Sequence, residues 1–117
     1  MKNNSDLKEF QNRIGYHFND EKYLKTALTH SSFANEVKMR KVNDNERLEF
    51  LGDAVLELTS SDYIYKNHSE MNEGSMTRLR ASIVCEPTLA LCARAFGLDE
   101  FIMLGKGEEL TGGRKRD

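Results

Sequence analysis

Apolar residues along the chain recur mostly at intervals of three and four, and no stretch alternates apolar and polar as a half-buried strand would, so the sequence predicts an all-α fold. Leu7, Phe10 and Ile14 share one helical face, Asp6 and Glu9 have capping-box spacing, and Gly15 ends this short first helix. After a connector at Tyr16, His17 and Phe18, Asn19 or Asp20 caps a second helix that buries Tyr23, Leu24, Ala27 and Leu28 and reaches Thr29 or His30. Residues 31–44 keep no period and read as mostly exposed loop. Asn43 and Glu46 have the spacing of a second capping box, and the apolar periodicity that follows runs to Tyr65. This third helix is the longest and most apolar, with Lys66, Asn67 and His68 closing it. Gly52 inside it costs about 1 kcal/mol relative to alanine, which predicts close approach of another helix backbone. Residues 72–75 form a turn, with Ser75 capping the next helix. Pro87 splits the following apolar stretch into two helices meeting near Cys85 and Glu86, and Gly97 ends the second. Residues 101–104 are a short apolar strip, and the glycines at 105, 107, 112 and 113 mark a flexible stretch.

Chemistry concentrates at the start of the third helix. Placed at about 100° per residue, Glu46, Glu49 and Asp53 fall near 0°, 300° and 340°, while Leu48, Leu51, Val55 and Leu58 form an apolar stripe on another side. Like charges at these spacings destabilise a helix by about 0.2–0.5 kcal/mol per pair. A divalent cation would compensate them. All-oxygen ligands select hard cations such as magnesium, which takes one or two protein carboxylates, and Glu49 and Asp53 lie one turn apart. From spacing alone a solvated acidic helix face is the commoner reading.

Composition narrows the field without deciding it. A chain of 117 residues makes one domain with one core. At 38% hydrophobic and 31% charged residues, with no apolar run long enough to span a bilayer and no signal-peptide pattern at its start, the expected location is the cytosol. Cys85 and Cys92 have neither zinc-ligand nor disulfide-framework spacing and read as reduced core or near-core thiols. A net charge of −2 argues against a general nucleic-acid binder. The acids, however, cluster between Asp44 and Asp62, and bases cluster at Lys38, Arg40 and Lys41 and again at Arg114, Lys115 and Arg116. Metal bound among the acids would invert the local sign.

The run NERLEFLGD at 45–53 resembles the signature of the ribonuclease III family, endonucleases that cut double-stranded RNA. The resemblance continues through Ala27, Leu28, Thr29, His30 and Ser31 upstream and through residues 72–80 downstream, covering roughly residues 6–116. It implies the all-α helical fold of the ribonuclease III endonuclease domain and metal-dependent, two-metal hydrolysis of double-stranded RNA in RNA processing, ribosomal RNA included. The implied cofactor is magnesium, with manganese as a substitute, and no organic cofactor or membrane is expected. Glu49 and Asp53 would be catalytic metal ligands, half of a four-carboxylate cluster. Glu46 and Glu73 would lie near the site, and Phe50 would enter the partner subunit of a homodimer whose two half-sites face one RNA valley.

In the family the second acidic pair lies on a helix that begins shortly after a stretch like 112–116. The sequence stops at Asp117, so residues 1–117 are expected to be a partial nuclease domain lacking its C-terminal helices and any double-stranded RNA-binding domain, with impaired activity and stability. The alternative is a catalytically silent module of the same fold that binds RNA or a ribosome without cutting; a weaker third reading is a helical interaction domain.

Simpler roles compete at several positions. Glu46 can complete a capping box, Glu73 can be a turn acid, and His30 can be a structural residue at a helix end. Arg47 either pairs with an acid or contacts phosphate, and the same choice holds for Arg78 and Arg80. Tyr63 and Tyr65 suit core or interface packing, and residues 114–116 read as a solvated linker or a phosphate contact.

Overall fold

The computed structural model describes residues 4–37 and 42–115. Among them the regular elements are all helical: α1 (Asn4–Ile14), α2 (Glu21–Ala27), α3 (Ser31–Glu36), α4 (Glu46–Asn67), α5 (Glu73–Ile83), α6 (Glu86–Ala95), α7 (Leu98–Phe101), α8 (Lys106–Leu110) and a 3₁₀ turn at Gly113–Lys115. The single β feature among the described residues is an isolated parallel bridge between Thr29 and Met103. The all-α expectation holds.

Local chemistry set several boundaries as read. Gly15 and Gly97 take positive φ, at 71° and 75°, where a side chain would strain the backbone. Asp20 caps α2 by accepting from Lys22 N–H at 3.0 Å. Pro87 sits in the first turn of α6, where its missing N–H costs nothing.

Other expectations need correction. Asp6 lies inside the first turn of α1, which already begins at Asn4. α2 stops at Ala27, and its Tyr23 and Ala27 are exposed while Leu24 and Leu28 are buried. Residues 31–36, read as loop, form α3, because His30 supplies an N-cap acceptor that overrides the absent periodicity. Asn72, not Ser75, caps α5, its Oδ1 accepting from Ser75 N–H at 2.9 Å. The glycine-containing stretch after Leu104 folds into α8 and the 3₁₀ turn. Lys38, Arg40, Lys41 and Arg116 lie outside the described residues.

The core sits at one end. Leu7, Phe10, Leu24, Leu28 and Phe101 form one buried cluster, with Phe10 and Phe101 ring centroids 5.2 Å apart and Ile14, Phe18 and Leu98 packed around it. Gln11 is buried beside it and fully used: Oε1 accepts from Phe18 N–H at 2.7 Å, and Nε2 donates to Leu7 O at 3.2 Å and Glu21 Oε2 at 3.0 Å. Gln11→Ala strands these partners and is expected to cost about 1–3 kcal/mol, read as a lower melting temperature; an unchanged melt would contradict that role.

α4 projects from this core and packs chiefly on α5. The molecule is therefore elongated, with extents of 53 × 32 × 24 Å and a radius of gyration of 16.5 Å, against about 13 Å for a compact chain of this length. The orientation of α4 reverses the simplest reading of its pattern. Its buried residues, Ser60 and Ile64, fall at about 320° and 0° on the wheel that starts at Glu46, the side of the acidic stripe. The apolar stripe faces solvent: Leu51, Val55 and Leu58 are 59%, 55% and 72% exposed, and Phe50 is 82% exposed. A Cβ at Gly52 would meet nothing within 4 Å, so the close helix approach expected there is not made among the described residues. Tyr63 and Tyr65 are likewise exposed rather than core, and so is Cys92; Cys85 is half-buried.

Candidate active site

The first turn of α4 is pinned from two directions. Asn45, the residue before the helix, donates its backbone N–H to Thr29 O at 2.9 Å and its Nδ2 to Ala27 O at 3.0 Å. The same segment is tied to the strip after α7, with Met103 N–H donating to Leu28 O at 2.8 Å and His30 N–H to Met103 O at 3.0 Å. Three distant pieces of chain thus meet one turn before Glu49. The buried Thr29 adds a hydroxyl bond to Lys25 O at 2.6 Å, and no buried side-chain nitrogen or oxygen among the described residues is left without a partner.

The capping box expected at Asn43 and Glu46 is not formed. Asp44 Oδ1 accepts from Glu46 N–H at 3.0 Å instead, and the Asn45 side chain is committed to Ala27. An aspartate two residues before the helix satisfies the same orphan donor, which frees the Glu46 carboxylate from any capping task.

From that anchor Glu49 and Asp53 project along one side of α4 into an open groove of about 660 Å³, whose opposite walls come from α6, α7 and the 105–115 segment. Neither carboxylate makes a hydrogen bond or ion pair to any described residue. Glu86, Asp99 and Glu108 line the same groove, so its lining is rich in carboxylates. Among its basic residues, Arg114 is fully engaged: Nη1 donates to Asp99 O and Ile102 O, both at 2.7 Å, and the rest of the guanidinium grips Glu109. That carboxylate raises the arginine's pKa and holds it charged. Arg114 is therefore a clasp that folds the last segment against α7, not a solvated linker. Periodicity gave no signal for it, because its partners are two backbone carbonyls and a carboxylate five residues back in the chain.

No group of three or more His, Cys, Asp or Glu side chains is arranged to hold a metal among the described residues. What α4 offers is two carboxylates without a partner among the described residues, hard oxygen donors carried by residues whose backbones are about 6 Å apart along the helix axis. That number and type of ligand fits magnesium, which keeps several waters and takes its remaining ligands from substrate phosphate.

The other site residues named from the sequence lie elsewhere. Glu46, Arg47 and Phe50 border a separate depression with Tyr23 and Leu51. Glu73, the first residue of α5, lines a third hollow beside Leu58, Tyr65 and Arg80. Arg80 joins an intramolecular network, 3.5 Å from Glu57 and bonded to Ser61 Oγ at 3.0 Å, while Arg78 donates to Ser75 Oγ at 3.3 Å. His30 lines the Glu49–Asp53 groove, and its Nδ1 accepts from Ser32 N–H, capping α3. The His-x-Ser spacing is the one sequence signal that would have found this cap.

Comparison with known proteins follows the same lines. A family model described as Ribonuclease-III-like matches residues 20–117. Ribonuclease 3 of Geobacillus sp. strain WCH70 is 56% identical over 115 residues, covering 98% of this chain and 47% of the relative. Ribonuclease 3 of Bacillus velezensis is 56% identical over 110 residues, covering 94% and 44%. The chain spans about half the length of these curated relatives. A solved nuclease domain of ribonuclease III from Campylobacter jejuni, described for flexibility in a region involved in dimer formation, superposes with a TM-score of 0.84 at 37% identity, over 94% of this chain and 73% of that one. A second crystal structure of the same domain gives 0.83 at 38% identity, over 99% and 73%. With the fold, the signature run and these matches in agreement, the chain belongs to the ribonuclease-III-like family.

Proposed function

We propose that this chain forms the first part of a metal-dependent endonuclease for double-stranded RNA, with Glu49 and Asp53 as its metal ligands and catalytic carboxylates. The observation that carries this reading is a pair of unpartnered carboxylates, one turn apart, on a helix whose start is fixed by three chain segments and whose acidic side faces an open groove. A charged side chain with no protein partner is poised to meet something from outside. Magnesium, or manganese in its place, supplies charge stabilisation at phosphate and a nucleophile at neutral pH when bound. Glu49 and Asp53 hold and orient it, and the groove admits the RNA backbone. A-form RNA offers shape, phosphates and 2′-hydroxyls rather than readable base edges, so the substrate class is paired stems, including those of ribosomal RNA precursors.

Glu49 and Asp53 supply only part of the carboxylates that a two-metal centre commonly uses, and on this reading the described residues form an incomplete, impaired site. The exposed apolar side chains of α4, Leu51, Val55 and Leu58 on one stripe and Phe50 to one side of it, join two copies into a homodimer that places two grooves on one duplex. No helix among the described residues is long and apolar enough to cross a membrane, and the proposed location is the cytoplasm. A silent RNA- or ribosome-binding module of the same fold has no use for two unpaired carboxylates, which favours the enzyme.

The test is cleavage of a fully paired RNA by the protein at its natural full length. Cutting in magnesium, none in EDTA and none of a single-stranded control is the expected result. Equal cutting in EDTA, or of the single strand, overturns the proposal.

A further inference from the structure

His30 sits between α2 and α3, and all but one edge of it is spent on the fold. Its backbone N–H donates to Met103 O at 3.0 Å. Its Nδ1 accepts from Ser32 N–H at 3.1 Å and lies 2.7 Å from Ser32 Oγ. A backbone N–H can only donate, so Nδ1 presents its lone pair and the ring, neutral, carries its proton on Nε2. Ser32 agrees with this assignment: its Oγ accepts from Gly105 N–H at 2.8 Å, which leaves the hydroxyl hydrogen for Nδ1. Gly105, Ser32 and His30 thus form a relay that fixes both the tautomer and the angle of the ring.

The remaining edge has no partner among the described residues. His30 makes no side-chain bond to a described residue other than Ser32, yet no buried side-chain nitrogen or oxygen among those residues lacks a partner. For a half-buried histidine these facts together mean that Nε2 reaches solvent, and His30 lines the groove that holds Glu49 and Asp53. Arg114 is committed to Glu109 and to backbone carbonyls, and Arg94 donates to Lys115 O at 3.4 Å. A free cation beside Glu49 and Asp53 would pair with them and compete with a metal. A neutral N–H does not.

We infer that His30 is a phosphate-binding residue: its Nε2–H donates to a non-bridging oxygen of the RNA phosphate lying in the groove and orients that strand against Glu49 and Asp53. This rests on the reading of the groove as a site for double-stranded RNA. In the tautomer fixed by Ser32, Nε2 has no lone pair to take a proton, so the residue is a donor and not the general base.

His30→Asn separates the two roles. Asparagine is among the best N-caps, and its Oδ1 can accept from Ser32 N–H as Nδ1 does, while the Nε2 edge is gone. In calcium, with a fully paired RNA and the protein at its natural full length, the variant is expected to keep its melting temperature and bind RNA about ten-fold more weakly. The slope of log Kd against log salt should not change, because a neutral donor releases no counterion. A phosphorothioate at the cleavage-site phosphate should weaken binding by wild type and leave His30→Asn unaffected. If His30→Asn melts early, the phosphorothioate comparison on wild type decides, and unchanged affinity there overturns the inference. Normal RNA binding by wild type with equal binding by a folded His30→Asn overturns the role of His30 alone. A raised manganese requirement at unchanged RNA affinity also overturns it, by placing the histidine's effect on the carboxylates. Failure of wild type to bind duplex RNA removes both this inference and the function beneath it.

Discussion

Asp53→Asn is expected to slow cleavage of double-stranded RNA at least about a thousand-fold, about 4 kcal/mol of lost transition-state stabilisation, while leaving duplex binding in calcium intact. The asymmetry follows from where Asp53 stands. It is exposed, makes no bond to any described residue, and lies within a helix whose backbone is already satisfied, so an isosteric amide disturbs neither fold nor packing. What changes is one negative charge and one anionic oxygen, the properties a hard cation requires. Binding of the polyanionic RNA gains, if anything, from removing an acid in a groove also lined by Glu49, Glu86, Asp99 and Glu108. Glu49→Gln should behave alike, and the double variant should be little worse than either single one, because ligands of one site act as a unit. Cleavage by Asp53→Asn at the wild-type rate would show that this carboxylate does no chemistry.

The second large effect is on assembly. Phe50→Ala should raise the dissociation constant of the dimer close to a thousand-fold, seen by sedimentation as monomer at concentrations where wild type is dimeric. A two-fold interface uses each residue twice, and a buried aromatic anchor contributes about 2 kcal/mol per copy, hence about 4 kcal/mol in all. In this chain the Phe50 side chain is 82% exposed, so its truncation removes little from the protomer's own core. Leu51, Val55 and Leu58 on one stripe and Phe50 beside it are all exposed, an amount of apolar surface that a lone protein rarely leaves open, each side chain being worth about 1.5–3 kcal/mol when fully buried. A variant that stays dimeric, or that loses the fold of the protomer, contradicts the assignment of this face to a partner.

The ends of helices were legible where one side chain decides them. Gly15, Asp20, Pro87 and Gly97 act through positive φ, a capping oxygen or a missing N–H, and those are properties of the residue itself. α3 was not legible, since six residues give no period and its cap is a histidine whose ring must first be placed by Ser32 and Gly105. The Asn43–Glu46 spacing misled because Asp44, one residue along, supplied the same oxygen with shorter reach. The acidic stripe of α4 was legible in part: Glu49 and Asp53 line one groove as their spacing suggests, whereas Glu46, read on the same stripe, borders a separate depression. Which side meets the rest of the chain was not in the pattern. An apolar stripe says that something covers it, and here the covering surface is not among the described residues. The groove walls were equally hidden, because Glu86, Asp99, Glu108 and Arg114 come to line one groove with Glu49 and Asp53 only through tertiary folding.

The most direct measurement is manganese binding, followed by the paramagnetic signal of the free ion as the full-length protein is titrated in the presence of duplex RNA. Wild type should remove manganese from solution stoichiometrically, and the Glu49→Gln, Asp53→Asn double variant should not. Equal uptake by the two proteins would contradict the assignment of Glu49 and Asp53 as the metal ligands of this groove.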